Sequence, residues 1–178
     1  MRLFLSSLLL FTACAREARP TTPEPATRLE TCALADGRLA FGIPLEDHDA
    51  LAVAPDGCLF VDESEGVRVL SLASIATDEE GADVLERDGE AFFRQSGLLG
   101  EDPEPLGRGT MDLGGHVVPG VTWQATLPEL GGPFVVTTGA YRHGGDWLLV
   151  LVIHAPGDDV GARRLLRLAA ELEAPPVP

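Results

Sequence analysis

Apolar residues recur along this chain in short alternating runs, broken by glycine, proline and acidic turns, and that rhythm predicts strands. Residues 38–44, Arg-Leu-Ala-Phe-Gly-Ile-Pro, place Leu39, Phe41 and Ile43 on one face. The polar stretch 45–57 reads as a loop leading into a second strand, Cys58-Leu-Phe-Val-Asp. A turn at Glu63-Ser-Glu-Gly returns the chain into 67–75, where Val67, Val69 and Ala73 alternate with Leu70 and Leu72. Apolar residues on both faces predict an interior strand. The period then changes. Residues 77–97 predict a helix, with Thr77 or Asp78 as its cap, acids in its first turn, and Gly81 and Gly89 weakening it by about 1 kcal/mol each. After a loop at 100–109, Val121, Trp123, Ala125 and Leu127 share one face of a fourth strand. Two more strands flank Gly144-Gly145, a two-residue hairpin signal that sets His143 opposite Asp146, Arg142 opposite Trp147 and Tyr141 opposite Leu148. The closing segment, 158–174, predicts a helix capped by Asp158 or Asp159, with Leu165, Leu168, Ala169 and Leu172 as its apolar stripe.

The order β-β-β-α-β-β-β-α, with short turns between consecutive strands, predicts a single α+β domain: a mainly antiparallel sheet of about six strands with a helix on each face. It resembles the PsbP-like and DcrB-like superfamily over about residues 39–172. The likeness rests on element order, with "RLAFGIP" as opening strand, "GGHVVPGVTWQATLP" before the last hairpin and "DDVGARRLLRLAAEL" as closing helix. It implies a small α-β-α sandwich with a binding or assembly role, as in bacterial envelope lipoproteins, and carries no catalytic residue onto this chain.

The first residues break the alternation. Leu3 to Phe11 is an apolar run of nine after a single charge at Arg2, too short to span a bilayer, which needs about 20. Phe11-Thr12-Ala13-Cys14 resembles the lipobox of bacterial lipoproteins, with Phe11 where leucine is usual. The resemblance implies cleavage before Cys14 and lipidation of its sulfur; an ordinary signal peptide is the alternative. Two or three acyl chains hold a protein stably on a membrane where one holds it marginally. The expected organisation is a lipoprotein signal at 1–13, lipidated Cys14 and a flexible tether over 14–31, a globular domain over 32–174 and a proline-rich tail at 175–178. Ala15 follows the cysteine, where an aspartate retains lipoproteins in the inner membrane of many diderm bacteria, so the outer membrane is favoured if the organism is diderm.

Composition narrows the partners. Of the ionisable residues 13 are basic and 28 acidic, and every basic one is arginine. Removing residues 1–13 leaves 12 arginines and a charge of −16. Such a surface repels phosphates, so nucleic acid is not an expected partner. The absence of lysine excludes a P-loop or Schiff-base lysine. With Cys14 lipidated, Cys32 and Cys58 remain as an even pair in an oxidising compartment, which points to a disulfide; two separately buried thiols are the alternative.

Catalytic motifs are missing. The four histidines, His48, His116, His143 and His154, have no H-x-x-x-H spacing, and no G-x-S-x-G supplies a nucleophile. His48, in Glu46-Asp-His-Asp49, offers a metal corner on paper, but a solvated loop explains it equally, and no metal or cofactor is expected. "VDESEG" and "TDEE" concentrate carboxylates without the EF-hand pattern. Tyr141, Arg142 and Trp147 at the last hairpin form a candidate interaction patch, with a core position for Trp147 as the alternative. The sequence thus predicts a non-enzymatic, lipid-anchored envelope module that binds a protein partner. A small-ligand or metal-binding lipoprotein, and a hydrolase with a dispersed site, are the alternatives.

Overall fold

The alternating runs resolve into two sheets. The computed structural model describes residues 28–34, 39–54, 56–64, 66–75, 79–127, 130, 132–143 and 146–172. Along them run β1 (Arg28–Leu34), β2 (Leu39–Leu45), β3 (Asp49–Ala54), β4 (Gly57–Asp62), β5 (Arg68–Ile75), α1 (Glu79–Arg87) and α2 (Gly89–Gln95). There follow β6 (Glu104–Leu113), β7 (His116–Leu127), β8 (Gly132–His143), β9 (Asp146–His154) and α3 (Asp159–Ala170). The β1–β2 hairpin stands apart, while the other strands form one antiparallel sheet in the order β3-β4-β5-β9-β8-β7-β6. This is the α+β class that the alternation predicts.

Each face of the large sheet has its own cover. On one, Leu70, Leu72, Leu148 and Val150 pack against Leu165 and Leu168 of α3 and against the hairpin's Phe41 and Ile43. On the other, Val69, Trp123, Val136 and Leu149 meet Leu85 of α1, Phe93 of α2 and Leu99. Strand β9 is buried from Trp147 to His154, which is why its sequence is a continuous apolar run rather than an alternation. The disulfide Cys32–Cys58 is formed, and it ties β1 to β4.

Four local expectations are corrected. Residues 49–54, expected as loop, form edge strand β3; its outer half is exposed, so pairing with β4 holds it rather than burial. The end of the expected loop at 100–109 belongs to the other edge strand, β6, where only Met111 and Leu113 are buried and no alternation is needed. The single helix expected over 77–97 is two. Asp88 leaves helical geometry at φ −151°, and its side chain accepts from Ala91 N to cap α2; the capping expected of Thr77 or Asp78 lies outside the described residues. Finally, β1 starts at Arg28, four residues before Cys32, in a stretch whose prolines and threonines gave no strand signal.

Candidate functional site

Sheet register gathers charge at one end of the molecule. Asp49 pairs with Asp62, Asp62 with Arg68, and Arg68 with His154, so four polar residues form one row across β3, β4, β5 and β9. All four lie below 8% exposure, and α3 closes over them. Burial at this level is tolerated only when charges are paired and hydrogen-bonded.

Two arginines do the pairing. Arg164 of α3 places Nη2 at 2.9 and 2.8 Å from the two oxygens of Asp49. Its Nη1 is 2.5 Å from Asp62 Oδ2, an ion pair bent outside hydrogen-bond angles. Arg68 grips Asp158 with two bonds, Nε at 2.6 Å and Nη2 at 3.0 Å, and reaches Asp62 at 3.4 Å. Asp158 also caps α3 by accepting from Gly161 N. Burial pushes the Asp62 carboxyl upward, yet Ser64 N–H and O–H bonds together with Arg164 outweigh it and hold the pKa at about 2. The Arg68 bonds and the capping amide hold Asp158 below the usual range. For Arg164, burial opposes the charge, but the Asp49 and Asp62 carboxylates keep it raised. His154 donates Nδ1–H to the Ala155 carbonyl at 2.9 Å, its tautomer fixed by that bond. Asp62, Asp158, Arg68 and Arg164 are thus held in their ionised forms, whereas general acid–base work needs a group poised to exchange its proton.

His48 stands at the rim of this knot with its side chain 39% exposed. Its Nε2 lies 3.6 Å from Glu46 Oε2, 3.7 Å from Asp49 Oδ1 and 3.6 Å from Asp62 Oδ1. Asp62 comes from β4, so local spacing around His48 could not have revealed it. A signal for the knot was nevertheless present: Arg68 shares its strand phase with Leu70 and Leu72, and Asp62 shares its phase with Cys58 and Phe60. Charges in a buried phase mark a structured polar cluster.

The second feature is a cleft of about 400 Å³ between the helix pair and the far end of the sheet. Leu85, Phe93, Val121 and Trp147 line it, and the Glu90–Arg108 pair, at 2.6 Å, bridges α2 to edge strand β6 beside it. The Arg108 bond is the main cause of a lowered Glu90 pKa. Pockets of this size and apolar lining are the usual sites for small ligands or anchoring side chains.

The hairpin patch does not assemble as one surface. Register places Arg142 opposite Trp147 and Tyr141 opposite Leu148, as expected. Side-chain alternation then sends Tyr141 to the α3 face and Trp147 to the α1–α2 face. Trp147 is 7% exposed and belongs to the core, Arg142 reaches Glu86 of α1 at 3.6 Å, and Tyr141 stacks on His116 at 4.4 Å between ring centres. Cys14 and the His143 side chain lie outside the described residues.

No protein-family profile and no curated protein matches this sequence. Among solved structures, the chain is similar to the cyanobacterial PsbP protein (CyanoP) of Synechocystis sp. PCC 6803, at 13% identity and TM-score 0.50, over 86% of this chain and 94% of that one. It is also similar to LpqN, a protein involved in cell envelope biogenesis of Mycobacterium tuberculosis, at 12% identity and TM-score 0.47, over 84% and 92% of the two chains. The first likeness supports a PsbP-like α+β fold, as the element order predicts.

Proposed function

We propose that this chain is a non-catalytic module, held on a bacterial envelope membrane through lipidated Cys14, that binds a partner protein at the cleft between its helix pair and its sheet. The observation that carries the reading is the contrast between its two polar regions. The buried carboxylates are engaged by Arg68 and Arg164, while the open cleft presents an apolar floor with ion pairs beside it. A floor of Trp, Phe, Leu and Val suits the anchoring side chain of a partner. Among the described residues no helix is long and apolar enough to cross a membrane, so the reading assigns attachment to the lipid at Cys14.

In-cell photo-crosslinking tests this. A crosslinker at Arg87, beside the cleft, is expected to give one stoichiometric adduct that a crosslinker at Val53, on the β3 edge, does not. Gly89 lines the cleft and a Cβ there would meet nothing within 4 Å, so Gly89→Trp starts its side chain in open space, fills the cleft and is expected to abolish the adduct. Cys14→Ser is expected to remove fatty-acid labelling and weaken the adduct. Equal background from Arg87 and Val53 overturns the reading.

A further inference from the structure

Glu46 and Asp62 each turn one oxygen toward Arg164 and the other toward His48, and Asp49, whose two oxygens both accept from Arg164 Nη2, brings Oδ1 to His48 as well. Glu46 Oε1 lies 3.6 Å from Arg164 Nη2, and Asp49 Oδ2 lies 2.8 Å from the same nitrogen. Asp62 gives Oδ2 to Arg164, and the oxygens facing His48 are Glu46 Oε2, Asp49 Oδ1 and Asp62 Oδ1. Three carboxylates are therefore layered between a guanidinium on the buried side and an imidazole on the open side.

Three properties of the open side point to a cation. The first is charge. Four carboxylates, Glu46, Asp49, Asp62 and Asp158, share the two guanidiniums of Arg68 and Arg164, which leaves an excess of two negatives. A divalent ion cancels that excess, whereas a protonated His48 cancels half of it. The second is distance. Gaps of 3.6–3.7 Å are too long for N–H···O hydrogen bonds, which close to about 2.7–3.2 Å. They approach the ligand-to-ligand edge of about 3.4 Å that a tetrahedral ion with bonds of about 2.0–2.1 Å requires. Coordinating atoms of His48, Asp49 and Asp62 all lie within 4.8 Å of one another. The third is support. Asp49 Oδ2 accepts from Glu46 N at 2.7 Å, and Asp62 Oδ1 accepts from Ser64 N at 2.9 Å and Ser64 Oγ at 2.5 Å, so bonds of their own fix both carboxylates in place.

We propose that His48, Asp49 and Asp62, with Glu46 beside them on the solvent side, form a site for a divalent transition metal of the zinc type. The one imidazole selects such an ion over magnesium or calcium, which prefer all-oxygen shells. His48 is the solvent-side ligand, and its partial exposure gives the ion its way in. The site is independent of the cleft and of any partner that binds there.

Calorimetric titration of the EDTA-treated full chain with zinc chloride tests the site, with magnesium chloride as control. The expected result is one zinc ion per chain and no response to magnesium. His48→Ala and Glu46→Gln, both at the solvent side, are each expected to lower the affinity at least about 10-fold. Circular dichroism of both variants checks that each remains folded. No zinc uptake, or equal uptake by wild type and both variants, overturns the proposal. It is also overturned if the melting-temperature difference between wild type and His48→Ala appears only on acidification and ignores zinc, since that assigns His48 as an imidazolium partner.

Discussion

Arg68 lies across Gly161. A Cβ at position 161 would clash with Arg68 Nε and Asp158 Oδ2, so this glycine is the gap through which the arginine reaches its carboxylate. Alanine in a helix is ordinarily worth about 1 kcal/mol over glycine. Removing one partner's grip on a buried ion pair costs about 3–5 kcal/mol. Gly161→Ala is therefore expected to destabilise the domain by about 2–4 kcal/mol despite its better helix propensity, measured as a fall in the urea midpoint. A midpoint at or above wild type would show that Arg68 relocates freely.

Acid is expected to loosen the same knot. Asp62 is depressed from the usual 3.8 to about 2, and its side chain is fully buried. A depressed carboxylate stabilises the fold fully above its unfolded pKa and loses that contribution as pH falls through the folded value. The window is therefore about pH 4 down to pH 2, with roughly 2 kcal/mol at stake. Urea midpoints measured across that range are expected to fall more steeply for wild type than for Asp62→Asn, whose stability is already lowered at pH 7.

Reduction is expected to weaken the hold of the β1–β2 hairpin on the large sheet. Cys32 and Cys58 are both buried, and their bond closes a loop spanning 26 positions. Chain-entropy arguments give such a bridge about 3–4 kcal/mol. A paired Cys32→Ala, Cys58→Ala variant is expected to melt lower than wild type and to be indifferent to reductant, whereas wild type melts lower once reduced. Complete thiol labelling of the mature protein without reductant would contradict the bridge.

On the opposite face, Thr138 answers a buried indole. Trp123 Nε1 donates to Thr138 Oγ1 at 2.9 Å, and that hydroxyl donates to the Val121 carbonyl at 3.3 Å. Thr138→Val keeps the shape but leaves the indole N–H unpaired at a residue with no exposure, at a cost of about 1–3 kcal/mol. Thr138→Ser keeps the hydroxyl and is expected to lose less. Equilibrium denaturation of the two variants separates lost hydrogen bond from lost methyl.

Local pattern was enough for the α+β class, the Gly144-Gly145 hairpin register, the interior place of β5 and the apolar stripe of α3, while the structure chose Asp158 over Asp159 as that helix's cap. These depend on side-chain period and short-range capping, which neighbours in sequence control. Strands β1, β3 and β6 escaped that reading because little of their length is buried; backbone pairing with β2, β4 and β7 holds them, and pairing leaves no hydrophobic signature. Trp147 and Tyr141 were read together because they are close in the chain, yet the pleat sends them to opposite faces. Only the tertiary structure could assemble Glu46, His48, Asp49, Asp62 and Arg164, whose positions span 119 residues from first to last. Sheet register set the two aspartates side by side, and the docking angle of α3 brought Arg164 over them. Contacts of that range depend on how whole elements pack, which the pattern of any one element does not encode.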